Sequence, residues 1–469
     1  KSSTFKRRRA FGGRGMNMVK GMIEDTSFLK KILVIGVPVA LQGLLNTTVN
    51  LVDNLMIGAL GENAIAAVGL ANKVFFVFSL LLFGTVSGSG ILAAQYWGVQ
   101  DIKSIRKVLG MSLWIGILAA ALFLMPSVIK PGLVMRIFST SDTTISLGAK
   151  YLIIAAISYP FTAVTNCYVA MLRAVNQVKA PVVISCMTIV INITLNYILI
   201  FGKFGAPAMG VAGAALATLI ARICEMFVLL CIVYIGKSSV AAKLSELLGY
   251  TKEFLRKYAV TVTPVICNEF MWGLGVTMYS LAYGRMGDNA VAAITIAQTI
   301  QDLLLVLFQG LSAATAVILG NVLGAGELKT AERYAKNAQI MQFMLTAVMM
   351  VLCIALRWKF IGLYQISEEV ALDVSSCLIA FSLFMPFKMY NYVNIVGVLR
   401  SGGDTKFCLF LDCAGVWCIG IPLAFLGGLV WKLPIYVVYT LVMTEEIFKF
   451  IFGYLRYRKK KWIRNLTIE

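Results

Sequence analysis

Gln42, Asn46, Asn50 and Asp53 follow one another at spacings of four, four and three residues, which return side chains to one face of an α-helix. Asn192 and Asn196 stand one helical turn apart in a later apolar run. A carboxylate among amide oxygens suits Na⁺, which is hard and oxygen-seeking, whereas a desolvated carboxylate alone can carry a proton. The competing reading leaves Asp53 at a membrane interface, with the asparagines only joining helices. Acids inside apolar spans favour the functional reading.

A second set lies farther along the chain. Glu269 is flanked by Asn268 and Trp272, and Gln298, Asp302 and Gln309 share a helical face. Such acids could bind organic cations with help from an aromatic face, or bind protons. The alternative is a buried, helix-joining pair with Lys388. Arg222 and Glu225 are spaced for a local ion pair, read as structural.

Other chemistries are excluded. The chain has no histidine, which removes imidazole relays and histidine-bound zinc. Its ten cysteines form no CxxC pair and lie almost all in apolar runs, as buried thiols do. Gly236-Lys237-Ser238 resembles the end of a phosphate-binding loop, but Cys231 stands where a further glycine is needed. ATP hydrolysis, and enzyme activity generally, are therefore not expected, nor is any cofactor.

The elements that must position these residues are membrane helices. Of 469 residues, 59% are hydrophobic and 14% charged, with a mean hydropathy of +0.84, far from the roughly one-quarter charged residues of soluble domains. Twelve runs are long enough for a bilayer core of roughly 30 Å: 28–58, 64–96, 107–128, 146–172, 180–201, 211–235, 257–283, 290–323, 337–357, 374–399, 407–427 and 434–455. The expected class is an all-α integral membrane protein. Counting about 1.5 Å per residue, Asp53 lies about 33 Å and Asn196 about 26 Å from their inner flanks, so these two and Asn192 could meet in the outer part. Glu269 and Asp302 fall near mid-depth by the same count.

The 42 basic residues against 22 acidic ones acquire meaning from their location. With the amino terminus inside, inner flanks and loops hold 31 basic residues and outer loops seven, a bias that puts both termini in the cytoplasm. Clusters in Lys1 to Lys20 and Arg456 to Arg464 read as flanks near anionic lipid, not as nucleic-acid binding. The expected organisation is a basic amino-terminal segment (1–27), a first lobe (28–235), a linker (236–256), a second lobe (257–457) and a basic tail (458–469). No cleavable signal precedes the first run, and residues 1–15 are left out of the site.

The two lobes repeat. A shift of 226 residues puts Pro38 on Pro264, Gly58 on Gly284, Gly61 on Gly287, Asn63 on Asn289, Gly84 on Gly310 and Gly98 on Gly324, so GALGENAIAA returns as GRMGDNAVAA. One further residue aligns LRAVNQVK at Leu172 with LRSGGDTK at Leu399. Six helices per repeat give both lobes the same sense in the membrane, related by a pseudo-twofold axis along its normal, as in secondary transporters. Asp53 maps onto Tyr279, and Asn192 and Asn196 onto Ile419 and Leu423. That constellation is expected in the first half only.

At these residues the chain resembles the multidrug and toxic compound extrusion (MATE) family, from about Phe28 to Tyr457. The resemblance is carried by Pro38 through VDNLMIG at Val52, GENAIAAVGLAN at Gly61, LNYILIFG at Leu195, GVAGAALAT at Gly210 and LRSGGDTK at Leu399. It implies two six-helix lobes in the cell membrane exporting amphipathic, often cationic compounds in exchange for Na⁺ or H⁺. The first-lobe cation site would fall on Asp53, Asn166, Asn192 and Asn196, and a second-lobe carboxylate on Glu269. Two departures stand out: Lys388 occupies a run where some branches carry an acid, and Asn196 replaces another branch's aspartate. The expected partners are small organic compounds and the bilayer, with the chain acting as a monomer. A lipid-linked precursor flippase and a channel are the alternatives.

Overall fold

The computed structural model describes residues 20–468; the basic segment from Lys1 to Val19, with its expected cytoplasmic role, lies outside them. Among the described residues the chain is helical, without strands. The helices are α1 (Thr26–Gly58), α2 (Glu62–Gly98), α3 (Ile102–Ile129), α4 (Asp142–Ile157), α5 (Tyr159–Ala174), α6 (Lys179–Phe201) and α7 (Val211–Ile235). They continue as α8 (Lys252–Gly284), α9 (Asp288–Gly324), α10 (Leu328–Ile361), α11 (Glu368–Gly402), α12 (Thr405–Val430) and α13 (Ile435–Arg458).

Ten of these are long and apolar enough to cross a membrane, and the pair α4 and α5 makes an eleventh span bent by 43°. The run expected as one helix over 146–172 is thus interrupted at Ser158, because Pro160 enters the first turn of α5 without an N–H to continue the ladder. The helix α13 has the length but carries Glu445, Glu446 and Lys449 in its middle, which keeps it out of the apolar class. Two spans also loosen into π turns, α11 at Val393–Leu399 and α12 at Ala414–Gly420 and Leu426–Val430.

The described chain divides into two compact units, one of residues 20–40 with 274–468, the other of residues 41–273. The repeat is visible inside each. In the second, a Cβ on Gly84 of α2 would stand 2.6 Å from Ile266 Cα of α8, and one on Gly88 3.0 Å from Val262 Cα. In the first, a Cβ on Gly310 of α9 would stand 2.5 Å from the Gly36 carbonyl and 2.8 Å from Ala40 Cβ of α1. Gly310 is the counterpart of Gly84, Gly36 of Val262 and Ala40 of Ile266, so one glycine-mediated helix contact occurs twice. The repeated turn behaves likewise: Gly61 and Gly287 open α2 and α9 with φ of 102° and 118°, a region that an L side chain rarely adopts.

The connection from Gly236 to Arg256 is packed against its own unit. Tyr234 donates to the Ala242 carbonyl at 2.9 Å and Ser238 to Gln177 Oε1 at 2.6 Å. Arg106 at the start of α3 donates to the Ser239 carbonyl at 3.2 Å and to Glu246 Oε1 at 2.6 Å. The Lys243 backbone N–H and then Arg106 hold the Glu246 carboxyl below its ordinary range. Gly110 completes the seat, since a Cβ there would fall 2.0 Å from the Leu247 carbonyl oxygen.

Candidate functional site

The face of α1 that carries Gln42, Asn46, Asn50 and Asp53 does not act as one group. Gln42, near the middle of the helix, is buried and donates to Ser185 of α6 at 2.8 Å, while its Oε1 accepts from the half-buried Arg173 of α5. This amide is a helix-to-helix clamp. Asn46 and Asn50 are exposed. Asp53, one turn beyond them, is half-buried and is the residue that reaches α6.

Asn196 Nδ2 donates to Asp53 Oδ1 at 2.6 Å and to Asn192 Oδ1 at 3.2 Å. Asn192 Nδ2 in turn approaches Thr218 Oγ1 of α7 at 3.5 Å. Both asparagines face inward because they stand four residues apart on the buried side of α6. Arg222 of α7 acts electrostatically on Asp53 while its Nη1 pairs with Glu225 at 2.7 Å, so the local pair expected from spacing is present. The remaining oxygen in the chain of amides, Asn196 Oδ1, is buried without a hydrogen-bond partner.

That orphaned oxygen is the test of fit for a cation. A buried, unsatisfied acceptor costs free energy of about 1–3 kcal/mol, and a bound cation would remove the cost. The oxygens in or beside this chain of bonds are those of Asp53, Asn196, Asn192 and Thr218: one charged, three neutral, all hard donors suited to Na⁺. Asp53 is also the one group among the four that can take a proton. Asn166, placed in the set by family resemblance, is exposed on α5, and no hydrogen bond brings it to Asp53. Thr218 was not expected from sequence; a threonine in an apolar helix gives no signal until α7 is set against α6.

The second set separates into two kinds of surface. Glu269 and Asn268 are buried on α8, whereas Trp272, one turn on, is 46% exposed. On α9, Gln298, Asp302 and Gln309 are all exposed along one face. Lys388 of α11 acts on Asp302 electrostatically, without an ion-pair contact between them. The residues of α8 up to Gly273 and those of α9 belong to different units, and each set stands as described within its own.

Sequence reasoning missed a polar cluster on α13. Glu445 accepts from Tyr279 Oη of α8 at 2.6 Å and from Lys449 Nζ at 3.3 Å, and Lys449 also lies 3.9 Å from Asp412 of α12. Glu446 Oε2 accepts from Asn391 Nδ2 of α11 at 2.9 Å. Tyr279 is the repeat counterpart of Asp53, so the constellation expected in the first half only has a different polar group at its second-half position. The signal was present: two adjacent acids with a lysine one turn later inside an apolar run.

Comparison with known proteins agrees with this architecture. The family model MatE matches residues 38–198 and 264–426, once in each half. The chain is similar to the probable multidrug resistance protein YoeA of Bacillus subtilis, 25% identical over 92% of this chain and 94% of that one. It is 26% identical to the multidrug resistance protein PmpM of Pseudomonas aeruginosa, over 86% and 84%. Among solved structures, a MATE protein in complex with MaL6 superposes with a TM-score of 0.84 at 20% identity, covering 94% of this chain and 97% of that one. A MOP superfamily transporter from Pyrococcus furiosus, described as having a binding pocket of reverse polarity that suggests a different function, gives 0.83 at 20% identity, covering 93% and 96%.

Proposed function

The chain belongs to the MatE family, and from that premise we propose that it is a cation-coupled antiporter of the cell membrane, exporting amphipathic, cationic organic compounds by alternating access. Coupling is assigned to the oxygens around Asp53, Asn192 and Asn196, with Na⁺ or H⁺ as the driving ion. The observation that carries this reading is the buried Asn196 Oδ1 without a partner, next to a carboxylate in a membrane helix. A coupling ion drives transport only through different affinity for two states, and a site with one uncompensated acceptor has affinity to gain. The experiment is ethidium efflux from proteoliposomes under a Na⁺ gradient and a pH gradient imposed separately. Export driven by neither gradient overturns the proposal.

Cargo recognition is assigned to Glu269, the charge of the group it forms on α8 with its sequence neighbours Asn268 and Trp272. Glu269→Gln is expected to weaken ethidium export by about tenfold or more, the scale of a lost buried charge pair, and to spare a neutral dye. Equal losses for both dyes would move Glu269 from cargo to structure. The alternative, a lipid-linked precursor flippase, calls for a strongly cationic central cavity. Buried Glu269 favours cationic cargo instead.

Orientation follows the basic-residue bias. In a cysteine-free background, single cysteines near Glu62, Ala206 and Gly287 should react with an impermeant thiol reagent from outside, and those near Lys103, Lys243 and Lys329 should not. The inverse pattern would place both termini outside and overturn the assignment.

A further inference from the structure

We propose that Glu446, within the cluster it forms with Glu445, Lys449, Tyr279 and Asn391, is a second proton-exchange site of this chain. The site's use in coupling rests on the export reading above; its proton binding does not.

The cluster is deeply set. Glu445, Glu446 and Lys449 are each 5–6% exposed and Asn391 3%, and Glu446 stands about 16 Å along α13 from its start at Ile435. The surrounding spans are shaped around it. A Cβ on Gly420 would fall 1.9 Å from Tyr279 Oη and 2.5 Å from Glu445 Oε2, and one on Gly415 2.5 Å from Lys449 Cε. Both glycines lie in the π turn of α12 at Ala414–Gly420, a distortion frequently found at functional sites.

The two acids are not equivalent. Glu445 is served by a hydroxyl and an ammonium, Tyr279 and Lys449. Glu446 is bonded directly by a neutral amide alone, Asn391. The charged and titratable groups around the pair are Lys449 and Tyr439 on α13, Tyr279 and Tyr283 on α8, Lys388 on α11 and Asp412 on α12. A buried carboxylate without its own cation is costly, and a proton relieves the cost.

Asn391 supplies an independent sign of that proton. Its Nδ2 gives both hydrogens to Glu446, one to the carboxylate and one to the backbone carbonyl at 2.8 Å. Its Oδ1 is buried with no partner. Turning the amide over would present that oxygen as acceptor to a protonated Glu446, in exchange for the bond that Nδ2 now gives the backbone carbonyl. The proton comes from water and returns to it, and the Glu446 O–H is the single bond made and broken.

The test is infrared difference spectroscopy of the full chain in liposomes, between acidic and alkaline pH, without any transported compound. The expected result is a protonated-carboxyl band that titrates in the wild type and in Asp53→Asn and is absent in Glu446→Gln. Persistence of the full wild-type carboxyl signal in Glu446→Gln overturns the proposal. Should that variant fail to fold, Asn391→Leu keeps the acid and removes its amide, and the band should change frequency. An unmoved band in Asn391→Leu overturns the proposal equally.

Discussion

Asp53→Asn should insert and fold normally yet lose gradient-driven ethidium export by about tenfold or more, equivalent to at least about 1.4 kcal/mol of differential ion affinity. The substitution keeps the size of the side chain and can still meet Asn196, which now donates to Asp53 at 2.6 Å. It removes the full negative charge and the capacity to take a proton. Asn196→Ala and Asn192→Ala should give smaller losses, since each deletes one neutral oxygen. If Na⁺ is the driving ion, raising Na⁺ partly rescues both alanine variants; if H⁺ is, only the pH dependence moves. Wild-type export by Asp53→Asn under the same gradients would remove the first-half site.

Gly84→Ala and Gly310→Ala should each destabilise the chain by about 1–3 kcal/mol, the usual range for overpacking. The added methyl meets backbone in both cases: Ile266 Cα at 2.6 Å for Gly84, the Gly36 carbonyl at 2.5 Å for Gly310. Backbone cannot rotate away as a flexible side chain can, so two packed helices must separate. Gly69→Ala is the control, on the same helix as Gly84 with nothing within 4 Å. Thermal unfolding in detergent compares the three. Equal melting temperatures for all would refute the close helix contact as the reason for the repeated glycine.

The repeat that predicts this pairing was legible because Pro38, Gly61, Gly84 and their counterparts return without a gap over the first part of each half. Asp53, Asn192 and Asn196 were legible for a related reason: polar residues at helical spacing in apolar runs must face a partner, and depth alone brings them together. Gln42 obeyed the same spacing and was still a different thing, because the partner that claims it, Arg173, arrives through tertiary packing. Asn166 entered by resemblance alone and is exposed. The cluster on α13 was overlooked because Glu445 and Lys449 have the spacing of an ordinary exposed helix pair. What buries them includes the close approach of Gly415 and Gly420 in a π turn, and such turns depend on neighbours that a linear pattern does not contain.

The seat of the connection between the halves bears on any attempt to divide this chain into co-expressed fragments. Residues 238–247 are fastened to Gln177, Arg106 and the bare backbone at Gly110, so they behave as part of the amino-terminal piece. A nick at Gly236 would strand that strap on the wrong fragment and leave the Arg106 guanidinium and the Gly110 groove to be refilled by a tethered peptide. A nick at Gly249, beyond the short helix Leu244–Leu248, leaves the strap with the surface it covers. The useful break in the polypeptide therefore lies at the far end of the connection, not at its glycine-marked beginning.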